Sequence, residues 1–150
     1  MRKCILKNFD IIQCHILFIC RPHQGHLADL IAGFGYQVHR LKESSEKVIQ
    51  SDANTWLGSS QSQDADECRQ ILISINQVSI LVVDHYAIDK SWHRLMRPFC
   101  DKLMVIDDLA DRNYDCDILL DQTLNRQASA YRGLVPGHCR LLLGREFMLL

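Results

Sequence analysis

The chain has 150 residues, 47% of them apolar and 23% charged, with a formal net charge of −1; that length and balance fit one folded domain with its own core and exclude a disordered segment. Lys plus Arg against Asp plus Glu number 8 to 8 in residues 1–75 and 9 to 10 in residues 76–150, so neither half has the basic footprint that a nucleic-acid backbone requires. The longest apolar run, Ile16 to Cys20, is far too short to cross a bilayer, so no membrane partner is expected.

His15-Ile-Leu-Phe-Ile-Cys20 is a short apolar run stopped by Arg21-Pro22. Continuous apolarity suits a strand buried on both faces, as in a parallel sheet. His26 through Ala32 carries apolar residues at helical spacing, and Gly33-Phe-Gly35 is the stop, because glycine takes the left-handed cap conformation cheaply. Tyr36 through Leu41 alternates and reads as a second strand, and the polar, Ser- and Gln-rich residues 42–63 read as loop with short helical turns. Asp64 is the expected cap of a helix whose apolar positions are Cys68, Ile71, Leu72 and Ile75.

Ser79-Ile-Leu-Val-Val-Asp84 is the clearest strand, and a helix capped by Asp89 follows through Trp92, Leu95 and Met96 to Pro98. Lys102 to Asp107, Asp117 to Asp121 and Cys139 to Gly144 complete the set. Strands alternating with helices predict an α/β fold, a single domain over residues 1–150 in which one doubly wound, Rossmann-like parallel sheet holds strands near 15–20, 36–41, 79–84, 102–107, 117–120 and 139–143. No internal repeat and no low-complexity linker interrupts it.

Ligands of open α/β sheets bind beyond the carboxyl ends of the strands. Two predicted strands end there in polar clusters: Asp84-His85-Tyr86, and Asp107-Asp108 with Asp111-Arg112 close behind. A carboxylate, an imidazole and a phenol supply acceptors, donors and a group that titrates near neutral pH, a set suited to a sugar's hydroxyls and amides. The same residues have local uses: Asp84 as a helix cap, His85 as a hydrogen-bonded, partly buried ring, Tyr86 in packing. Seven aspartates lie between residues 101 and 121. Their spacing lacks the central glycine and closing glutamate of a calcium loop, so they read as caps, strand flanks and partners of Arg112, and no metal site is expected. Pro22-His-Gln-Gly-His26 sits between a strand and a helix, where an anion can bind, but a single glycine there reads equally as a turn. No nucleophile elbow is present. The seven cysteines form no C-x-x-C pair and follow no secretory signal, so they read as reduced thiols, mostly small core residues, of a cytoplasmic protein.

Five groups of segments carry a family resemblance. They are Phe18-Ile-Cys-Arg21 with Gly25-His-Leu27; Trp56-Leu-Gly58 with Asp64-Ala65; Val83-Asp-His-Tyr-Ala-Ile-Asp89 with Trp92; Met104 through Arg112 with Asp115 through Gln122; and Tyr131 through Pro136 with Leu143-Gly144. In this order they resemble the UDP-2,4-diacetamido-2,4,6-trideoxy-β-L-altropyranose hydrolases of pseudaminic acid biosynthesis, from about His15 to the last residue. The groups around Asp84 and Asp107 are the specific ones.

The resemblance implies the N-terminal half of a two-domain architecture of the GT-B glycosyltransferase type. It implies hydrolysis of a UDP-linked diacetamido sugar with inversion, in which a base activates water and UDP departs. It implies no cofactor. It makes Tyr86 and His85 the candidates for chemistry and Asp84, Asp107 and Asp108 the candidates for substrate contact.

Family members open with a strand and a Gly-x-Gly-His loop whose histidine is the proposed base, and they continue into a second domain with most of the UDP contacts. Residues 1–14 hold neither glycine nor histidine, and the chain ends at Phe147-Met-Leu-Leu150. The expectation is therefore a domain short at both ends, with an unpaired sheet edge. Such a chain is expected to be inactive alone: either a separate C-terminal chain supplies the missing parts, or it is a non-catalytic remnant or weak sugar-binding domain from a broken gene. A nucleotide-binding regulatory module would need a phosphate loop that the sequence lacks.

Overall fold

The computed structural model describes residues 15–23, 25–43, 55–75 and 78–149. β1 (Leu17–Cys20) pairs in parallel with β2 (Gln37–Arg40) through the connecting helix α1 (Ala28–Gly33). A second, four-stranded parallel sheet follows in simple chain order: β3 (Val78–Val83), β4 (Cys100–Ile106), β5 (Ile118–Asp121) and β6 (Arg140–Leu143). α2 (Gln61–Ile75) precedes β3, and α3 (Lys90–Met96), with the 3-10 turn Arg97–Phe99, leads into β4. The α/β class and the parallel pairing agree with the sequence reading, and each strand lies within two residues of its expected bounds. No helix among the described residues is long and apolar enough to cross a membrane.

The expectation of one six-stranded sheet is corrected. Among the described residues β1 and β3 are not hydrogen-bonded to each other. In the doubly wound order 3-2-1-4-5-6, the first strand lies between the second and the fourth. Among the described residues no strand hydrogen-bonds to both sheets. Side chains join the halves instead: Ile19 and Leu41 pack into the core that holds Val83, Leu103, Trp92 and Met96. β3 also leaves Ile80 and Val82 about half exposed, at 47% and 49%, unusual for a strand of a parallel sheet.

A buried polar junction reinforces that link. α2 begins three residues before Asp64, and the Gln63 amide donates to Ser60 Oγ at 3.2 Å, so Ser60 rather than Asp64 caps it. Asp64 instead lies buried in the first turn, where its carboxylate accepts from Arg21 Nη2 at 2.8 Å and from Trp92 Nε1 at 2.9 Å. Arg21 also donates to the Lys42 carbonyl at 2.7 Å and to Glu67 at 3.1 Å. One ion pair thereby ties the ends of β1 and β2 to α2 and α3.

Several local expectations hold. Asp89 caps α3 through a 2.7 Å bond from the Ser91 amide. Gly35 has φ +86, and its amide donates to the Ala32 carbonyl just past α1. Gly25 takes φ +85 in a turn, and His26 Nδ1 accepts from the Ala28 amide at 3.3 Å, which is the turn reading of that loop. Cys20, Cys68, Cys100, Cys116 and Cys139 are free thiols. Cys4, Cys14, Gln24, and residues 44–54 of the predicted loop lie outside the described residues.

His93 of α3 has no surface exposure. Its Nδ1 accepts from the Asp115 amide at 3.2 Å, which puts the ring proton on Nε2, and the ring stacks on Tyr114 at 6.3 Å. Burial holds its pKa down at about 4. Above about pH 6.5 the ring is neutral in both folded and unfolded chains and costs nothing. Below that, the unfolded chain takes a proton that the fold refuses until about pH 4. Stability therefore falls through this window, by about 3 kcal/mol at its acid end. His85, lowered by the same cause, acts in the same direction. Urea midpoints from pH 7.5 to 4.5 read the effect. His93→Asn, which keeps an acceptor near the Nδ1 position, should flatten the slope; an unchanged slope assigns the acid sensitivity elsewhere.

Candidate functional site at the carboxyl edge of the sheet

β3, β4 and β5 each run into an aspartate at the carboxyl edge: Asp84, Asp107 and Asp121. The three have different fates. Asp84 is exposed. Asp107 is 3% exposed, and Asp121 is fully buried.

Asp107 holds its loop together from inside. Its Oδ2 accepts from the Leu109 and Ala110 amides at 3.2 and 2.9 Å, an Asx-type turn that carries Ala110 at φ +53. Its Oδ1 lies 2.9 Å from Arg112 Nη2. Tyr131, from a turn far along the chain, places its hydroxyl 2.9 Å from Asp107 and 2.7 Å from Asp121, so one phenol hydrogen serves two carboxylates. Arg126 pairs with Asp121 and donates to the Asp108 carbonyl. The result is a buried network of two aspartates, two arginines and a tyrosine beneath the strand ends. Burial first, then its carboxylate neighbours, push the Tyr131 phenol well above its ordinary pKa and keep it protonated. Asp121 moves down: burial alone would raise it, but the bonds from Thr123 and Tyr131 and the charge of Arg126 outweigh that. Asp107, a candidate substrate contact in the sequence, is thus placed as the anchor of its loop, and a ligand reaches its oxygens only by opening the network.

Arg112 carries the network to the surface. Besides Asp107, it donates to the Ile88 carbonyl at 2.9 Å, pairs with Asp111 at 2.8 Å and approaches the His85 carbonyl at 3.5 Å. Its guanidinium lies 5.2 Å from the Tyr114 ring centre and 6.0 Å from that of Tyr86. The loops after β3 and β4 are therefore fixed to one cation.

Tyr86 meets Asp108, and His85 is linked to Asp107 only through Arg112, which approaches the His85 carbonyl and pairs with Asp107. Tyr86 is half-buried, hydrogen-bonded to the exposed Asp108, and its phenol pKa is raised first by that bond and then by burial. Its ring meets Trp56 edge-on at 5.8 Å. His85 is oriented at both nitrogens: Nδ1 accepts from the Ala87 amide at 3.1 Å, and the ring also bonds the Trp56 backbone. Burial lowers its pKa, so it is neutral at pH 7. The surface so formed offers two exposed carboxylates, Asp84 and Asp108, a protonated phenol and aromatic faces, suited to hydroxyl and amide donors. Among the described residues no cluster of three or more His, Cys, Asp or Glu can hold a metal ion.

The sequence names Arg112 only as a neighbour of the Asp107-Asp108 cluster and a partner of aspartates, and gives Tyr131, Asp121 and Trp56 no role at the site. Asp121 carries the signal that marked Asp84 and Asp107, a carboxylate closing an apolar strand. Tyr131 carries none, because its partners lie 10 and 24 residues away in the chain.

No family model matches the chain. It is 29% identical over 136 residues to a protein of Campylobacter jejuni subsp. jejuni named UDP-2,4-diacetamido-2,4,6-trideoxy-beta-L-altropyranose hydrolase, an alignment covering 90% of this chain and 41% of that protein. The relationship is distant, and the chain spans about two fifths of that relative's length.

Proposed function

We propose that this chain is the sugar-facing part of a hydrolase that cleaves a UDP-linked 2,4-diacetamido-2,4,6-trideoxy sugar into UDP and the free sugar, for pseudaminic acid biosynthesis. The observation that carries the reading is the Tyr86–Asp108 hydrogen bond beside Arg112, which makes one polar surface of two strand-end loops in a chain distantly related to a named UDP-sugar hydrolase. In this reading Asp84 and Asp108 accept from sugar hydroxyls and acetamido N–H groups. Tyr86 stays protonated and donates, and its ring packs on the sugar. His85, neutral and held at both nitrogens, positions Tyr86 rather than activating water. Asp107 acts through Arg112 and the loop backbone. UDP is a good leaving group, so the demand on the protein is to place sugar and water rather than to protonate the departing oxygen. The UDP contacts and the base come from outside these residues, with a separate C-terminal chain as the partner. A nucleotide-sugar substrate and free thiols suit the cytoplasm.

A second reading, binding of the sugar without turnover, is favoured by the engagement of both His85 nitrogens. A full-length relative separates the two. Replacing the tyrosine matching Tyr86 with Phe removes one donor to the reacting sugar, so kcat should fall roughly 10-fold or more while the unfolding midpoint stays within about 1 kcal/mol. Unchanged turnover removes this residue from the chemistry.

A further inference from the structure

Cys116 and Cys139 face each other at the end of the sheet opposite the candidate site. Cys116 comes two residues before β5, and Cys139 immediately before β6. Their sulfurs are 3.6 Å apart. The register pairs Ile118 with Arg140, and the Arg140 amide donates to the Asp117 carbonyl at 2.8 Å, so Cys139 lies across from Asp117, one residue from Cys116. Neighbouring strands run about 4.8 Å apart, inside the Cα separation of about 4.4–6.8 Å that a disulfide spans. Both cysteines sit just outside the ladder. No other pair of described cysteines is in sulfur contact.

We propose that Cys116 and Cys139 are an oxidation site that closes to an intramolecular disulfide when the folded chain meets a hydroperoxide. The two thiols have unequal roles. Cys139 is partly exposed, and its thiol pKa is lowered, first by the hydrogen bond from Cys116 and, against burial and the charge of Asp117, by Arg97 and the Leu119 backbone. Cys116 is fully buried, and its pKa is raised by the bond to Cys139 and by desolvation. The Cys139 thiolate attacks the peroxide oxygen and breaks the O–O bond, giving a sulfenic acid and an alcohol or water. The Cys116 sulfur then attacks that sulfenic sulfur, the S–O bond breaks, and the hydroxyl leaves as water with the Cys116 proton. Two thiols are oxidised by two electrons in all, and one peroxide is reduced. The cross-link closes a loop between positions 23 residues apart and ties β5 to β6 without touching Tyr86 or Asp108.

The test is to treat the folded, reduced chain with hydrogen peroxide at low protein concentration, block the remaining thiols, and map peptides without reduction. The expected product is monomeric chain with the Cys116 and Cys139 peptides linked, and a thermal midpoint raised by roughly 5 °C or more. In Cys116→Ser the link is lost, and a sulfenic-acid trap such as dimedone labels Cys139. A disulfide to any other cysteine, a disulfide-linked dimer, or Cys139 oxidised to sulfinic acid while Cys116 stays free would overturn the proposal.

Discussion

Asp107→Ala lowers the stability of the chain by about 3–5 kcal/mol, the usual cost of removing one partner of a buried, hydrogen-bonded ion pair. The reason is what it leaves behind. Arg112 keeps a guanidinium that is only 14% exposed, Tyr131 loses one of its two acceptors, and the Leu109 and Ala110 amides lose theirs. Ala110, at φ +53, then holds a left-handed conformation with nothing to support it. Against a total of about 5–15 kcal/mol for a domain, that brings the chain close to unfolding. Asp107→Asn keeps an acceptor for the amides and removes only the charge, so it should cost clearly less. Urea unfolding of the three proteins reads both values. A loss below about 1 kcal/mol for Asp107→Ala means the network is not what fixes the loop after β4.

UDP release from the UDP-linked diacetamido sugar by residues 1–150 alone should be at least 10²–10⁴-fold slower than by the Campylobacter jejuni hydrolase, the span that general-base help typically contributes. His85 is the group at this site with an ordinary pKa near neutrality, and it is neutral, half-buried and bonded at both nitrogens. The chain spans about two fifths of that hydrolase's length. The assay is UDP release at matched protein concentration. A rate comparable to the relative's contradicts the reading of His85 as a positioning residue. A rate restored by a separate C-terminal chain supports the division of labour proposed above.

The strands were legible from their short apolar runs, Ile80 to Val83 in β3 and Leu103 to Ile106 in β4, although β3 leaves Ile80 and Val82 about half exposed. The surface part of the site was legible because carboxylates and aromatics right after such runs fall at the carboxyl edge, and Tyr86 does meet Asp108 there. The start of α2 was not, because Ser59, Ser60, Ser62 and Asp64 are all able caps in one polar stretch, and only burial shows that Asp64 belongs to Arg21 and Trp92. The division into two sheets was hidden because strand pairing is non-local, and each strand reads the same whatever lies beside it. The roles of Asp107 and Tyr131 were hidden for a related reason: a strand-end aspartate that binds ligand and one that anchors a loop look alike until a distant hydroxyl is found against one of them.

The central claim is that the surface made by Asp84, His85, Tyr86 and Asp108 receives the sugar. Titrating isotopically labelled chain with the UDP-linked diacetamido sugar and following backbone amide resonances tests it most directly. The shifts should concentrate at residues 84–87 and 108–112 and weaken in Tyr86→Phe. Shifts that are absent at millimolar ligand, or that gather at the opposite end around Cys116 and Cys139, would contradict it.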